Sequence, residues 1–303
     1  MWFKNARIYT LDKDASAALF KDPQALEEQL ERTAFRPCMA QELSTMGFAP
    51  LTGPGSAFHF SHAGSFYLKL TEETKLLPAA VVRTELEERI RQAEEKLGRQ
   101  VHKNEQETLR TALIGELLEK AFATRRDTLV WLNPALGLCA VGASSAKRAE
   151  KVLALLREAL GSFPAKVLQP RCVAEDKLTA WLSQQDLPAS LTLGTDTTLK
   201  SPADEGGTIR ASREDLASEE IAVHVKAGKL ATEVQLIYAQ EAVFVLSSEL
   251  VLKRVKLLDQ YLERSLPEHS EDEAADLQAL LIVQGDLLSR LCTDLLEFFD
   301  CER

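Results

Sequence analysis

Between Thr128 and Gly161 the spacing of apolar positions changes twice. Leu129, Val130, Trp131 and Leu132 are consecutive strand formers, Asn133-Pro134-Ala135-Leu136-Gly137 carries turn residues, and Leu138 to Val141 is a second short apolar run. Together they predict a β-hairpin. Ala149, Val152, Leu153, Leu156 and Leu160 then recur at three-, four- and seven-residue spacings, one stripe of a helix. Ser144 or Ser145 is its natural N-cap, and Gly161 the natural residue just past its end.

The same test runs along the rest of the chain. Trp2 to Leu11 predicts a first strand. Asp22-Pro23 starts a helix, with Asp22 as cap, Pro23 at its first position and Leu26 and Leu30 inward. Pro37 stops it, Met39 to Met46 predicts a short helix closed by Gly47, and Pro50 to Ser56 is a loop. Ala57 to Leu70 predicts a second hairpin, with Phe58, Phe60, Phe66, Leu68 and Leu70 alternating about a His62-Ala63-Gly64-Ser65 turn. Pro78 to Phe122 predicts a charged helical hairpin. Val82, Leu86, Ile90, Ala93 and Leu97 make one narrow stripe, Gly98 breaks it, and Leu109, Leu113, Leu117 and Ala121 make the other. Asn104 and Glu107 have capping-box spacing. Each helix is about 20 residues, roughly 30 Å long. Seams this narrow pack mainly on each other, so the pair is expected to project as an arm.

Ala174 to Leu182 predicts a helix, and Gln184 to Gly207 reads as a weak, polar stretch ending in a Gly206-Gly207 turn. Thr208-Ile209-Arg210 is a short strand, and Ser218 caps a helix through Ala227 that Gly228 closes. Thr232 to Leu246 predicts a third hairpin. Leu250 to Leu262 suits strand or helix, with Val251, Val255, Leu258 and Leu262 favouring helix. Ser270-Glu271-Asp272-Glu273 has capping-box form and opens a last helix carrying Leu277, Leu280, Leu281, Leu287, Leu288, Leu291, Leu295 and Phe298. Three hairpins, each ahead of a helical segment and without a fixed-period repeat, predict an α+β fold of repeated antiparallel β-hairpin/helix units with a protruding helical-hairpin arm. Residues 1–77 and 127–170 read as a central α+β region, 78–126 as the arm, and 171–303 as a second α+β region with an acidic C-terminal helix.

At 303 residues the chain can bury roughly three quarters of its unfolded surface, enough for one large domain or two to three subdomains. Met1-Trp2-Phe3-Lys4-Asn5 lacks a signal-peptide apolar core, and no apolar run approaches the roughly 20 residues that span a bilayer. Cys38, Cys139, Cys172, Cys292 and Cys301 are scattered and never in a C-x-x-C pair, so they read as free thiols of a reducing cytoplasm rather than disulfides or a zinc site. The formal net charge of −10 argues against nucleic acid until it is mapped. Ser265 to Arg303 holds ten acids and two bases, whereas Ala146 to Lys166 holds five bases and two acids. Local potential governs a binding face.

The helix after the first hairpin carries Lys147 and Arg148 in its first turn, where the positive dipole end calls for Asp or Glu. Arg148 stands where a capping-box Glu would be. The pair reads either as an anion site at a helix N-terminus or as solvated cations compensated by Glu150. From Arg83 to Arg126, ten bases and nine acids suit a solvated, salt-bridged face. His59 and His62, three apart on a strand, fall on opposite faces with no third ligand near, and read as turn or surface histidines. No Walker loop, Rossmann glycine pattern or G-x-S-x-G occurs. Ser144 and Lys147 have S-x-x-K spacing without its companion motifs. Asp204-Glu205 and Glu271-Asp272-Glu273 read as solvated charge rather than a two-metal site. Nothing here requires catalysis, a metal or a cofactor.

Several stretches resemble the RdgC family of recombination-associated, nucleoid-linked proteins. They are Trp2-Phe3-Lys4-Asn5, Ala34-Phe35-Arg36-Pro37-Cys38, Met46-Gly47-Phe48-Ala49-Pro50, Lys75-Leu76-Leu77-Pro78, Ser145-Ala146-Lys147-Arg148-Ala149-Glu150 with Leu153-Ala154-Leu155-Leu156-Arg157, and Ile209-Arg210-Ala211 followed by Asp215-Leu216 and Ser218-Glu219-Glu220-Ile221. They span most of the chain in order. The resemblance implies a crescent-shaped subunit that pairs into a closed homodimeric ring with a positively charged hole. It implies sequence-independent binding of double- and single-stranded DNA, interference with RecA-promoted strand exchange, and a cytoplasmic, nucleoid-associated location. It also implies that a phenylalanine at the arm's tip helps close one interface, matching Phe122, and that Ala211, Ser212, Arg213 and Glu214 take part in a second.

Sequence-independent binding needs phosphate contacts rather than base readout. The candidate contacts are Lys147, Arg148, Lys151 and Arg157, with Arg83, Arg89, Arg91, Lys96 and Arg99 of the arm. The alternative is a protein-interaction module that acts on a recombination partner through the arm without touching DNA. A metal-dependent nuclease is a third, more remote reading.

Overall fold

A computed structural model describes residues 3–203, 206–267 and 272–302. Trp2 of the expected first strand, the Asp204-Glu205 pair, and Ser270 and Glu271 of the expected capping box lie outside the described residues. The first strand, β1, is Ala6–Leu11. Helix α1 (Lys13–Leu19), unannounced by any apolar period, is set by Asp12, whose carboxylate accepts from the Ala15 amide at 2.9 Å. Helix α2 (Pro23–Arg32) starts as its cap predicts: Asp22 accepts from the Gln24 and Ala25 amides, and Leu26 and Leu30 are buried.

The helix expected over Met39 to Met46 does not form. The chain turns and enters strand β2 (Ser44–Ala49). Gly47 serves a close approach instead: a Cβ there would collide with the backbone of Phe35, whose amide donates to the Phe48 carbonyl at 2.7 Å. Strands β3 (His59–His62) and β4 (Ser65–Lys75) form the second hairpin. Its two turn residues, Ala63 and Gly64, both have positive φ, the twist a two-residue hairpin loop needs. Helices α3 (Ala79–Leu97) and α4 (Lys103–Lys120) form the helical hairpin, with Gly98 left-handed after α3. The second helix starts earlier than Asn104–Glu107 spacing suggests. Its N-cap is His102, whose amide donates to Glu105 at 2.8 Å.

Strands β5 (Ala123–Asn133) and β6 (Leu138–Val141) and helix α5 (Ala146–Leu160) reproduce the hairpin–helix pattern, with Ser145 at the cap, Gly161 left-handed and the stripe buried. Strand β7 (Ala165–Val167) and helix α6 (Ala174–Leu182) follow. The weak, polar stretch then yields a ten-residue strand, β8 (Leu191–Lys200). Its threonines are β-branched and suit a half-buried pleat despite their polarity. Next come β9 (Thr208–Ala211), α7 (Glu219–Lys226), β10 (Leu230–Tyr238) and β11 (Ala242–Ser247). The ambiguous stretch divides into a strand, β12 (Val251–Leu257), and a short helix, α8 (Asp259–Ser265). Pairing with β1 and β11 on its two sides overrides the helical spacing of Val251 and Val255. Helix α9 (Glu273–Phe298) is capped by Asp272, which accepts from the Ala274 amide at 2.9 Å.

The fold is α+β, with one twelve-stranded antiparallel sheet among the described residues. The chain divides into two units, Met1–Thr33 with Pro50–Lys69 and Thr128–Arg303, and Ala34–Ala49 with Leu70–Asp127. In the larger unit the strand order is β5-β6-β1-β12-β11-β10-β8-β9, with β7 beside β1. Helices α6 and α9 cover the face that presents Ala231, Val234, Leu236 and Tyr238. There the Trp181 ring meets Phe299 edge-on at 5.2 Å, and the Tyr238 hydroxyl donates to Asp294 at 2.7 Å. The opposite face carries Thr198, Glu233 and Lys253 and stays polar. Strand β4 buries residues on both of its faces, which alternation alone does not show. Tyr67 packs against Gly285 of α9, where a Cβ would strike the tyrosine hydroxyl.

In the smaller unit β2 lies beside β4, and β4 beside β5, next to the α3–α4 hairpin. That hairpin buries few side chains: Val82 from α3, and Leu113 and Leu118 from α4. Leu118 rather than Leu117 is buried at the end of the second seam.

Candidate nucleic-acid interface

The first turn of α5 holds two cations with different surroundings. Ser145 makes no side-chain cap bond. Lys147 is exposed. Arg148 is half-buried, and its Nε and Nη2 donate to the buried Thr128 hydroxyl at 2.9 and 2.6 Å. Arg148 thus ties the helix start to β5. Farther along, Lys151 is exposed, and Arg157 lies 4.0 Å from Glu150.

The arm neutralises most of its own arginines. Arg89 reaches across from α3 and grips Glu116 of α4 with two hydrogen bonds, at 3.0 and 2.5 Å. Arg91 pairs with Glu88 at 2.6 Å and Arg99 with Glu105 at 2.8 Å. These hydrogen bonds lower the carboxyl pKa values. Arg99, then the His102 amide, brings Glu105 down to about 2, and Arg89 holds Glu116 below its ordinary range. Arg83 and Lys96 are exposed on the same helix.

Phe122 does not sit at the arm's tip. The tip is the Gly98 turn, whereas Phe122 lies where α4 gives way to β5, its carbonyl accepting from the Leu76 amide at 2.7 Å. It is 84% exposed. Leu76, Leu43 and Met39 are also exposed, and Lys75 joins them: its amide donates to Leu43, and its Nζ to the Met39 carbonyl at 2.7 Å. The smaller unit therefore carries an apolar patch at the foot of the helical hairpin.

Ala211, Ser212, Arg213 and Glu214 leave the end of β9 and fold around Asp196 of β8. The Ser212 hydroxyl and the Arg213 amide donate to Asp196 Oδ1 at 3.1 and 3.2 Å, and the Glu214 amide to the Thr195 carbonyl at 3.1 Å. On the other side, Arg254 Nη1 lies 2.9 Å from Asp196 Oδ2. Burial opposes the charge on this carboxylate. The Arg213 amide, the Ser212 hydroxyl and Arg254 outweigh it and hold the pKa below the ordinary value. Arg213 and Arg254 both have left-handed backbones, with φ of 61° and 53°.

These groups border a cleft of about 610 Å³ whose wall includes Ser144, Ser145, Arg210, Ser212, Lys253 and Arg254. The fold thereby joins the start of α5 to the Ala211–Ser212 segment. Sequence reasoning had nominated both, separately. It missed Arg210, Lys253, Arg254 and Asp196 as members of a site. The one available signal was the strand reading of Leu252 to Lys256, which alternates sides and brings Lys253 onto the polar face.

His59 is neither a turn nor a surface residue: its side chain is 11% exposed, and Nδ1 lies 2.7 Å from Glu27 of α2. Among the described residues, no three His, Cys, Asp or Glu side chains group as metal ligands. All five cysteines are free thiols, and burial raises the pKa of Cys139 and Cys292. None of the described helices is long and apolar enough to cross a membrane.

A family model described as "Putative exonuclease, RdgC" matches residues 1–302. The chain is 37% identical over 280 residues to a protein of Aeromonas hydrophila subsp. hydrophila named "Recombination-associated protein RdgC", covering 92% of this chain and 91% of that one. Proteins of the same name from Pseudomonas paraeruginosa and Halorhodospira halophila are each 36% identical. The first match covers 92% of this chain and 90% of the relative, the second 100% and 99%.

Proposed function

The chain belongs to the RdgC family, and on that premise we propose that it binds double- and single-stranded DNA without sequence preference. In this reading it acts as a homodimeric ring in the nucleoid and limits RecA-promoted strand exchange. The observation that carries the reading is the segregation of charge. Ser265 to Arg303 holds ten acids and two bases, while the start of α5 presents Lys147 where an acid is expected, beside a cleft walled by Arg210, Lys253 and Arg254. The exposed patch around Phe122 and the Ala211–Glu214 loop supply two surfaces through which a second copy closes a ring. The reading includes no catalytic step.

A salt series on linear and covalently closed circular DNA tests it. Strong, salt-dependent binding, lost slowly from circles and quickly from linear ends, is the expected result. Equal loss from both would leave DNA binding and remove the ring. Cleavage of either substrate on adding Mg²⁺ or Mn²⁺, abolished by replacing one acid, would make the protein a nuclease.

One observation favours the second reading, an arm that docks a recombination partner. Arg89, Arg91 and Arg99 already hold carboxylates of the arm, which suits a self-contained docking element better than a row of phosphate contacts. Absence of binding to naked DNA by the purified protein would establish that reading in place of the first.

A further inference from the structure

The cleft beside β8, β9, β10 and β12 has an unequal supply of donors and acceptors. Its two carboxylates are satisfied from within. Asp196 accepts from the Ser212 hydroxyl, the Arg213 amide and Arg254. Glu233 accepts from Lys253 Nζ at 2.7 Å and from the Thr198 hydroxyl at 3.4 Å. Lys253 and Arg254 each hold one of these carboxylates and still have donors to spare. A guanidinium carries five N–H donors and an ammonium three. Arg254 keeps 61% of its side chain exposed while touching Asp196, and Arg210 is exposed with no partner among the described residues. The Ser144 and Ser145 hydroxyls stand in the same wall. A ligand that completes this cleft must bring acceptors and negative charge. At about 610 Å³ the cleft has room for a nucleotide rather than a lone ion, within the roughly 300–1,000 Å³ usual for small-ligand sites.

The backbone points to the same place. In β12 the pairing steps from Lys253 opposite Val245 to Lys256 opposite Val243, so Arg254 and Val255 face one residue, a β-bulge. A bulge re-aims a side chain. Arg254 holds its left-handed φ of 53° there, with its amide on Asn5 Oδ1 at 3.2 Å. Glycine is the usual occupant of such a position, and strain of this kind gathers where function requires the side chain.

We propose that this cleft seats the phosphodiester of a nucleic-acid strand, with Arg210, Lys253 and Arg254 as its cations and Asp196 as the residue that positions Arg254 and the Ser212-Arg213 loop. The proposal rests on the DNA-binding reading and names a seat for it. Its test is fluorescence anisotropy with labelled single-stranded and duplex oligonucleotides across a salt series, beside thermal melts, on the full chain. Arg254→Gly gives up the Asp196 ion pair but relieves the left-handed backbone, and is expected to melt close to the parent and yet to bind DNA several-fold more weakly. Combining it with Arg210→Ala is expected to lower the salt slope by about two.

Unchanged affinity and slope in the double variant, with the parent still binding, overturn the cleft and leave the DNA-binding reading standing. No binding by the parent overturns both. If Arg254→Gly melts lower, Arg210→Ala alone decides, because that side chain has no partner among the described residues; equal binding by this variant overturns the seat. Displacement of the bound strand by micromolar dTMP would assign the cleft to a free nucleotide and overturn the strand proposal.

Discussion

The helical hairpin and the polar face of the sheet both carry arginines beside acids, and the two use them differently. In the arm the partners are exposed on both sides: Arg91 and Glu88 are 68% and 44% exposed. Such pairs are screened by water and mainly keep the helices soluble. In the cleft the acid is sheltered, Asp196 at 15%, and one carboxylate gathers a hydroxyl, a backbone amide and a guanidinium. There the charges organise backbone: two left-handed arginines and a loop depend on one side chain. A count of ion pairs treats the regions alike. Burial of one partner separates them.

The largest expected effect lies in the arm's seam. Leu113→Ala is expected to cost about 2–5 kcal/mol locally, because Leu113 is 1% exposed and few other buried side chains hold α3 to α4. Hydrogen exchange should quicken in α3 and α4 and stay unchanged in β10 and β11; loss of protection in both places would show that the arm is not an independent seam. Next comes Asp196→Ala, expected to cost about 1–3 kcal/mol, since it leaves the Arg213 amide and Arg254 without their acceptor. Chemical denaturation beside Glu88→Ala, expected to cost far less because its pair stands in water, measures the contrast, and equal costs would erase it.

Phe122→Glu is expected to leave the melting temperature unchanged while weakening self-association at that end, because the side chain is already in water. Sedimentation equilibrium reads this, and an unaltered dimer constant would take Phe122 out of the interface. Smaller again are the charge contacts. Lys147→Ala is expected to lower the DNA salt slope by about one, and Arg89→Ala with Arg91→Ala and Arg99→Ala to leave it nearly unchanged, since those arginines already hold carboxylates. A drop of about three in the triple variant would restore the arm as a phosphate track.

The last effect concerns pH. Glu105 has its pKa lowered from the ordinary 4.5 to about 2, first by Arg99 and then by the His102 amide. A depressed carboxyl contributes stability that is present in full above 4.5 and lost as pH falls through about 2. Carbon-detected NMR titration of Glu105 should show that low midpoint, and Arg99→Ala should return it toward 4.5.

Elements with a period and a cap were legible in the chain. Asp22-Pro23 starts α2, the stripe from Ala149 to Leu160 is buried, and the second hairpin turns at Ala63-Gly64. Where prediction failed, a partner element had overridden local preference. Gly47 reads as a helix stop, yet the backbone of Phe35 presses against it within a strand. Val251 and Val255 fit a helix, yet both lie in a strand that pairs with β1 and β11. Thr-rich β8 reads as a weak, polar stretch, yet its neighbours β9 and β10 hydrogen-bond to it as a strand.

The candidate site divides in the same way. Lys147 at a helix start, Phe122 beside a charged hairpin and the Ala211–Glu214 segment could be nominated from residue type, position and family resemblance, because those features are local along the chain. That α5 and Ala211 border one cleft, that Arg148 turns to Thr128, and that Arg213 and Arg254 share Asp196 were decided by the tertiary structure. Residues on different strands and loops meet there through strand register and a bulge, which set side-chain direction. No one-dimensional pattern encodes direction once it depends on a neighbouring strand.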